Sequence, residues 1–463
     1  MKRGEREMNI HLTQPGEGLA RIAAQYGVSA DELAELNQLL TPDICCTGQA
    51  LLIPERASVT FAEADGTGAG MGNRSMQSCP TQGGLMQSGP MRGNPIQRSS
   101  MQGGPMQIGQ RQRASGAAAC RGRGGGGTPT RPGEADPLPL ARMQRPVAVL
   151  GCFSEPCRGA ERSALPWLTW ISSGCCRVDT TGLTDCGGTA PDVCGECGAA
   201  GILTVTNRYE GVQAGESAHS LFHNLETQSL FLEKLHNELA AGPWQGVYLD
   251  LRVPLPWERE PFNRFLRTVA EQLHGEGCLL FSALPPKEGE EQRRPVAAAH
   301  DFALHGSVAD YCVLAAGQWA DPWGPPAAGT PLEELRRALD YTVSVIPPER
   351  VLLEIPGRAR DWSLPFHPGA VAQSLPSVTA VTIAGATGAE IRYSRTARCP
   401  FFRYADGEGG AHEVWFEDAR SLAEKCRLVR DYGLAGICLE HLEDRDRTCL
   451  RVMERMFRIL KLC

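Results

Sequence analysis

The 463-residue sequence predicts an α/β protein: a (β/α)8 barrel preceded by a small βααβ module and a linker. Three observations carry this. Short apolar runs alternate with amphipathic helical stretches through residues 146–463. A self-contained strand–helix–helix–strand pattern occupies residues 8–55. Between the two, over residues 56–145, apolar periodicity gives way to a stretch rich in Gly, Ser, Gln, Met and Arg.

In the N-terminal module, residues 10–13 read as a short strand. Leu19, Ile22, Ala23 and Tyr26 then recur at i, i+3, i+4 and i+7, which is one face of a helix that Gly27 closes. Ser29 caps a second helix, with Glu32 placed for a capping box and Leu33 and Leu36 turned inward. Residues 49–53 return as a strand. The linker carries eight arginines and no acidic residue between Gly66 and Gly133, a composition that cannot bury enough apolar surface to offset its chain entropy. It is expected to be a disordered tether, with a basic charge that attracts acidic polymers.

The third region supplies candidate strands at 147–150, 168–171, 202–206, 246–251, 279–283, 311–315, 351–355 and 436–439. Helical stretches at 228–240, 261–274, 331–345 and 418–432 lie between them. Eight strands with intervening helices, and a long gap before the last, predict a barrel with an insertion ahead of its final strand.

Composition narrows the function. A net charge of −7 with 42% hydrophobic residues describes a globular protein, for which nucleic acid is not the expected partner. No stretch is long and apolar enough for a membrane span, and the segment MKRGEREMNIHLTQ lacks the apolar core of a secretory signal. Synthesis in the cytoplasm without a signal peptide is the expectation. The eighteen cysteines leave three readings open. Cys194 and Cys197 with Cys175, Cys176 or Cys186 could bind zinc, scattered thiols could cross-link after oxidation, or the thiols could simply be buried apolar groups. No completed metal-ligand spacing is present, so no metal and no cofactor are expected.

The residues P-G-E-G-L, I-A-x-x-Y-G-V, E-L-x-x-L-N and G-Q-x-L-x-I-P resemble a LysM module. The resemblance implies binding of N-acetylglucosamine polymers, peptidoglycan among them, between two loops. Gly16, Glu17, Gly18 and Leu19 would form one wall and Asn37, Thr41, Pro42, Asp43 and Ile44 the other.

A second resemblance rests on HEVWFEDARSLAEKCRLVRDYGLAGI at 412–437, with CPFFRY before it, ILTVTN at 202–207 and RRALDYTVSVIPPERVLLEIP at 336–356. These are similar to glycoside hydrolase family 18, in the branch of bacterial spore-germination and cortex-lytic proteins. That likeness implies assembly onto the spore cortex or coat, and other coat proteins as further partners. It also implies substrate-assisted hydrolysis: the sugar's 2-acetamido oxygen attacks C1, a Glu protonates the leaving oxygen, and an Asp two residues earlier orients the acetamido group. Residues i and i+2 of a strand face one side, so both would open onto the barrel mouth.

In this chain the matching stretch is QGVYLDLR, where Asp250 remains and Arg252 stands at the acid's place. A guanidinium has no proton to give near neutral pH. Asp250 and Arg252 are expected to share a face and neutralise one another. The Met-Thr-Tyr-Asp run after the sixth strand corresponds to Ala315, Ala316, Gly317 and Gln318, the Tyr-Gly-Tyr after the seventh to Arg358, Ala359 and Arg360, and the floor Trp of the eighth to Glu440, beside His441. Glu258, Glu260 and Glu440 are expected on a solvated loop and rim, with a relocated acid among them as the alternative, and Trp257, Trp319 and Trp323 as sugar-stacking or wedging aromatics. The leading expectation is a non-catalytic barrel serving as scaffold or carbohydrate binder. An active cortex-lytic hydrolase with a rebuilt site and a cysteine cross-linked coat protein are the alternatives.

Overall fold

The computed structural model describes residues 9–37, 39, 45–54, 145–154, 165–173, 175–186, 198–208, 214–253, 255–290, 295–445 and 448–462. The expected linker therefore falls almost wholly outside the described residues.

The elements run β1 (Ile10–Leu12), α1 (Leu19–Tyr26), α2 (Ala30–Leu36), β2 (Ala50–Leu52), β3 (Ala148–Phe153), β4 (Trp170–Ser173), β5 (Cys175–Asp179), β6 (Gly182–Cys186), β7 (Ala200–Thr206), α3 (Ala214–His223), α4 (Leu225–Ala241), β8 (Trp244–Asp250), α5 (Arg259–Gly275) and β9 (Leu279–Leu284). They continue α6 (Pro295–Ala298), α7 (Phe302–Val308), β10 (Tyr311–Leu314), α8 (Leu332–Val345), β11 (Val351–Ile355), β12 (Arg358–Leu364), β13 (Gln373–Pro376), α9 (Ser377–Thr387), β14 (Arg392–Ser394), β15 (Cys399–Ala405), β16 (Ala411–Trp415), α10 (Ala419–Asp431), β17 (Gly436–Leu439) and α11 (Thr448–Met456).

The N-terminal unit is the βααβ module its sequence pattern predicts. β1 and β2 pair antiparallel, Ile10 opposite Leu52. Leu19, Ile22, Ala23, Leu33, Leu51 and Ile53 form its core. Gly27 ends α1 at φ 63°, in the left-handed region that glycine enters without strain. Ser29 accepts the Glu32 N–H at 3.0 Å, the Ser29 half of the expected box; the reciprocal form is made in α10, between Asp418 and Ser421.

Eight parallel strands, β3, β4, β7, β8, β9, β10, β11 and β17, close into a barrel, β17 returning to β3 with Cys438 opposite Leu150. Each strand sends one side chain to a shared interior layer: Leu150, Trp170, Ile202, Tyr248, Phe281, Val313, Leu352 and Cys438. Trp170 meets Phe281 edge-on at 5.0 Å, and Phe281 stacks on Tyr311 at 5.0 Å. The alternate residues point outward into a larger apolar layer, where Leu235, Phe265, Leu266, Leu339, Leu422 and Val429 bury the inner faces of the helices.

Two additions decorate the barrel. The antiparallel hairpin β5–β6 pairs with the outer part of β7. The predicted insertion before the last strand is a five-stranded antiparallel sheet ordered β13-β12-β16-β15-β14, with α9 packed across it through Ala380 and Ala384. The N-terminal module docks here. The Ile391 N–H donates to the Thr47 carbonyl at 2.9 Å, the Arg420 guanidinium to the Gly48 carbonyl at 3.3 Å, and the Arg455 guanidinium to the Ile53 carbonyl at 2.9 Å. Gly48 lies so close to β14 that a Cβ would sit 1.9 Å from the Ile391 oxygen.

Candidate functional site

At the carboxyl ends of the barrel strands is a cavity of about 230 Å3 lined by Arg208, Glu354, Arg358, Arg360, Trp415 and Glu440, among others. Barrel geometry places these groups. Counting by twos along β11, Leu352 belongs to the interior layer, so Glu354 opens toward the mouth. The same count along β8 carries Tyr248 to Asp250. Beyond β7 it carries Ile202 through Thr204 and Thr206 to Arg208.

These groups are electrostatically linked. Arg208 Nη1 lies 2.9 Å from Asp250 Oδ2, and Arg208 Nη2 lies 3.9 Å from Glu440 Oε1. Burial pushes the Asp250 carboxyl up, and the neighbouring guanidinium only partly offsets this. Burial, together with the charge of Glu440, pushes Glu354 well above the usual carboxylate range, while Tyr248 donates to its Oε2 at 3.4 Å. The carboxylate of Asp250 in turn holds the Arg208 guanidinium firmly charged.

Asp250 and Arg252 do not form the expected pair. β8 ends at Asp250, so alternation no longer governs the residues after it. Asn207 clamps the Arg252 backbone, accepting its N–H at 2.7 Å and donating to its carbonyl at 3.0 Å, and the Arg252 side chain is exposed. Asp250 takes Arg208 as its partner instead. Nor do the cavity arginines all end on acidic groups. Arg358 reaches Asp444 at 2.9 Å and the Ser374 hydroxyl at 2.9 Å, whereas Arg360 donates to the Ala320 carbonyl, its basicity lowered by burial.

The other predicted positions are placed as follows. Ala315 and Ala316 are buried, and Gly317 borders the cavity in a short 3-10 turn with Gln318. Ala359 is buried in the core of the insertion. Glu440 and His441 follow β17, their backbone pressed on Gly357, where a Cβ would lie 2.3 Å from the Glu440 oxygen. His441 Nδ1 bonds the Ser154 hydroxyl at 2.5 Å. Against burial, which would raise it, bonds from His441 and Ser154 hold Glu443 down at about 2. Trp257 and Trp323 are exposed at 70% and 61%, while Trp319 packs on the outer core. Trp415, which sequence reasoning left out, lines the cavity and stacks on Phe401 at 4.6 Å.

Glu260 is exposed as expected, but Glu258 is not on a solvated rim. Its side chain is 1% exposed and holds two imidazoles, His219 Nδ1 and His223 Nε2, each at 2.7 Å. The three approach closely enough to hold a metal ion, a grouping the sequence reading did not foresee. The HxxxH spacing on α3 was the available signal.

In the N-terminal module, Gly16 turns at φ 73° and Gly18 precedes α1. The Glu17 carboxylate accepts the Gln14 N–H at 2.9 Å and bonds His11 Nε2 at 2.8 Å, and these contacts lower its pKa. Leu19 and Asn37 do not line a groove. Leu19 is buried in the module core, and the Asn37 amide bonds Leu33 and Leu52 across the fold. Thr41, Pro42, Asp43 and Ile44 lie outside the described residues. The same holds for Cys194 and Cys197. Cys176 is disulfide-bonded, while the thiols of Cys46, Cys312, Cys399, Cys426 and Cys438 are buried.

Residues 11–54 match the LysM domain family. The N-terminal unit is a LysM domain. The whole chain superposes on the spore cortex-lytic enzyme SleL of Bacillus megaterium QM B1551 with a TM-score of 0.71, covering 98% of both chains at 22% identity, which establishes a shared fold. A chitinase from Chromobacterium violaceum shares the barrel, with a TM-score of 0.58 and 23% identity over 67% of this chain and 98% of that one. Among curated relatives, a cortical fragment-lytic enzyme of Bacillus subtilis is 29% identical over 61% of this chain and 67% of its own length. A Bacillus cereus enzyme of the same description is 32% identical over 51% and 55%. The aligned part thus spans little more than half of that second relative. The expected order, a LysM module followed by a barrel of the family 18 type with cortex-lytic relatives, is borne out. Among the described residues, no helix is long and apolar enough to cross a membrane.

Proposed function

We propose that the chain is a peptidoglycan-associated spore protein whose barrel binds or scaffolds wall polymer without hydrolysing it. The observation that carries this is the pairing at the mouth. Arg252 stands where the family's general acid would be, and the Asp250 that would orient the acetamido group is engaged by Arg208 at 2.9 Å. Removing a general acid alone costs on the order of 10²–10⁴ in rate, and a tethered orienting group adds to that.

The LysM domain supplies the polymer-binding unit in this reading, and the names of the cortex-lytic relatives point to cortex peptidoglycan and to assembly on the spore. The cavity's arginines are largely engaged internally, Arg208 by Asp250 and Arg358 by Asp444, which favours a scaffold over a reader of lactyl or peptide carboxylates. Incubating the full chain with muropeptides and with chitooligosaccharides, scoring retention and new reducing ends together, tests the proposal. Retention without cleavage supports it. Release of reducing ends sinks it.

One observation favours a second reading, a hydrolase with a rebuilt site. Glu354 borders the cavity with its carboxyl raised well above the ordinary range, the condition a general acid needs. If reducing ends appear and Glu354→Gln abolishes them, that second reading holds.

A further inference from the structure

Away from the mouth cavity, α3 and the loop after β8 meet at a cluster built from two imidazoles and one buried carboxylate. His219 and His223 are four residues apart on α3 and so emerge from one helix face. Their rings stack with centroids 4.4 Å apart and planes inclined by 26°. His219 Nδ1 and His223 Nε2 each reach a different oxygen of Glu258 at 2.7 Å. The three ligand atoms lie within 4.8 Å of one another, a span that a cation bonded at about 2.0–2.2 Å to each can close with small side-chain rotations.

Burial argues that something more than hydrogen bonding is involved. The Glu258 side chain is 1% exposed, and taking a carboxylate out of water is costly. A cation between the three groups removes that cost. The imidazoles are 62% and 42% exposed, so their outer side is open to solvent. That leaves room for access and for a water as fourth ligand. Two imidazoles and a carboxylate are the donor set of a borderline transition cation, whereas magnesium and calcium take oxygen ligands.

We propose that His219, His223 and Glu258 form a site for a divalent transition cation of the zinc class. The cation ties α3 to the segment after β8. Those two stretches flank the residues of the mouth: Asn207 bonds the Ala214 carbonyl and the Ser217 hydroxyl at the start of α3, and also the Arg252 backbone. The site therefore steadies the backbone beside Arg208, through Asn207, and takes no part in chemistry at the mouth.

The test uses the full chain titrated with cobalt(II) and with zinc(II). Cobalt absorption separates nitrogen and oxygen ligation from thiolate ligation, which matters in a chain with eighteen cysteines. The expected result is one tight equivalent with a nitrogen/oxygen spectrum, lost in the His219→Ala/His223→Ala double variant and weakened in Glu258→Gln. A wild type that shows only thiolate-type binding, or a double variant that keeps the nitrogen/oxygen equivalent, overturns the site. A second measurement needs no variant: zinc should shield His219 and His223 from diethylpyrocarbonate, mapped by mass spectrometry. Modification of both at the metal-free rate in the presence of zinc also overturns it.

Discussion

Replacing Arg208 with Met removes the cation around which the mouth is organised. Asp250 then loses its partner at 2.9 Å, and Glu354 and Glu440 lose the positive charge between them and Asp250. Breaking a fully buried ion pair by removing one partner costs about 3–5 kcal/mol. Arg208 is 30% exposed and Asp250 15%, so solvent screening brings the expectation to about 1–3 kcal/mol near neutral pH.

The pH dependence separates charge from packing. Asp250 and Glu354 already have raised folded-state pKa values, chiefly through burial, so each binds more protons folded than unfolded. Their contribution to stability is therefore full below the unfolded carboxylate range and declines as pH rises toward the folded values. Without Arg208 both folded values move higher, and the loss deepens over that same rise. Urea denaturation of the wild type and of Arg208→Met, followed by circular dichroism at neutral pH and at about pH 4, should show a deficit that shrinks on acidification. An equal deficit at both pH values would mean that Arg208 acts by packing alone. No deficit at either would remove the ion pair as an organising feature.

Lys425→Met should destabilise the chain by about 3–5 kcal/mol, because Lys425 is fully buried and its ammonium lies 3.0 Å from the Glu417 carboxylate, which would be left without its counter-charge; denaturant midpoints check this. Gly48→Ala places a methyl 1.9 Å from the Ile391 oxygen at a φ of +79°, so the docked edge must part, read as faster hydrogen exchange at the Ile391 amide with the barrel amides unchanged. Arg252→Glu alone should not create measurable hydrolysis of peptidoglycan, because Asp250 stays bound to Arg208; appearance of reducing ends would show that only the acid was missing.

The eight barrel strands were legible because each is an apolar run buried on both faces, and the four predicted outer helices because each buries one stripe. Gly246 and Gly436 sit within those runs where neighbouring backbone approaches closely, so the glycines did not interrupt the reading. The hairpin β5–β6 and the insertion sheet were not legible. Their strands are only three to seven residues long and mix polar with apolar residues without a sustained period, as in Arg392–Ser394 and Cys399–Ala405, and tertiary pairing decides them.

At the mouth, counting by twos from Ile202 would have reached Arg208, and from Leu352 would have reached Glu354. The family comparison drew attention instead to Arg252, which lies past the strand end, where that period no longer applies. Glu258 was missed for another reason. Nothing local in PWERE indicates that its carboxylate will be covered, since the covering imidazoles come from α3, nearly forty residues earlier.

The docking of the LysM domain on the insertion bears on the stretch between Pro54 and Arg145. Arg455 bonds the Ile53 carbonyl, and Arg145 bonds the Gly433 carbonyl at 3.5 Å, so the two flanks of that stretch are anchored on the same body through α11 and the turn after α10. The angle between the LysM domain and the barrel then rests on direct contacts. That angle is set by the edge where Thr47 and Gly48 abut β14. Should the domain detach, its covalent connection to the barrel would keep its local concentration high and favour return to the same seat.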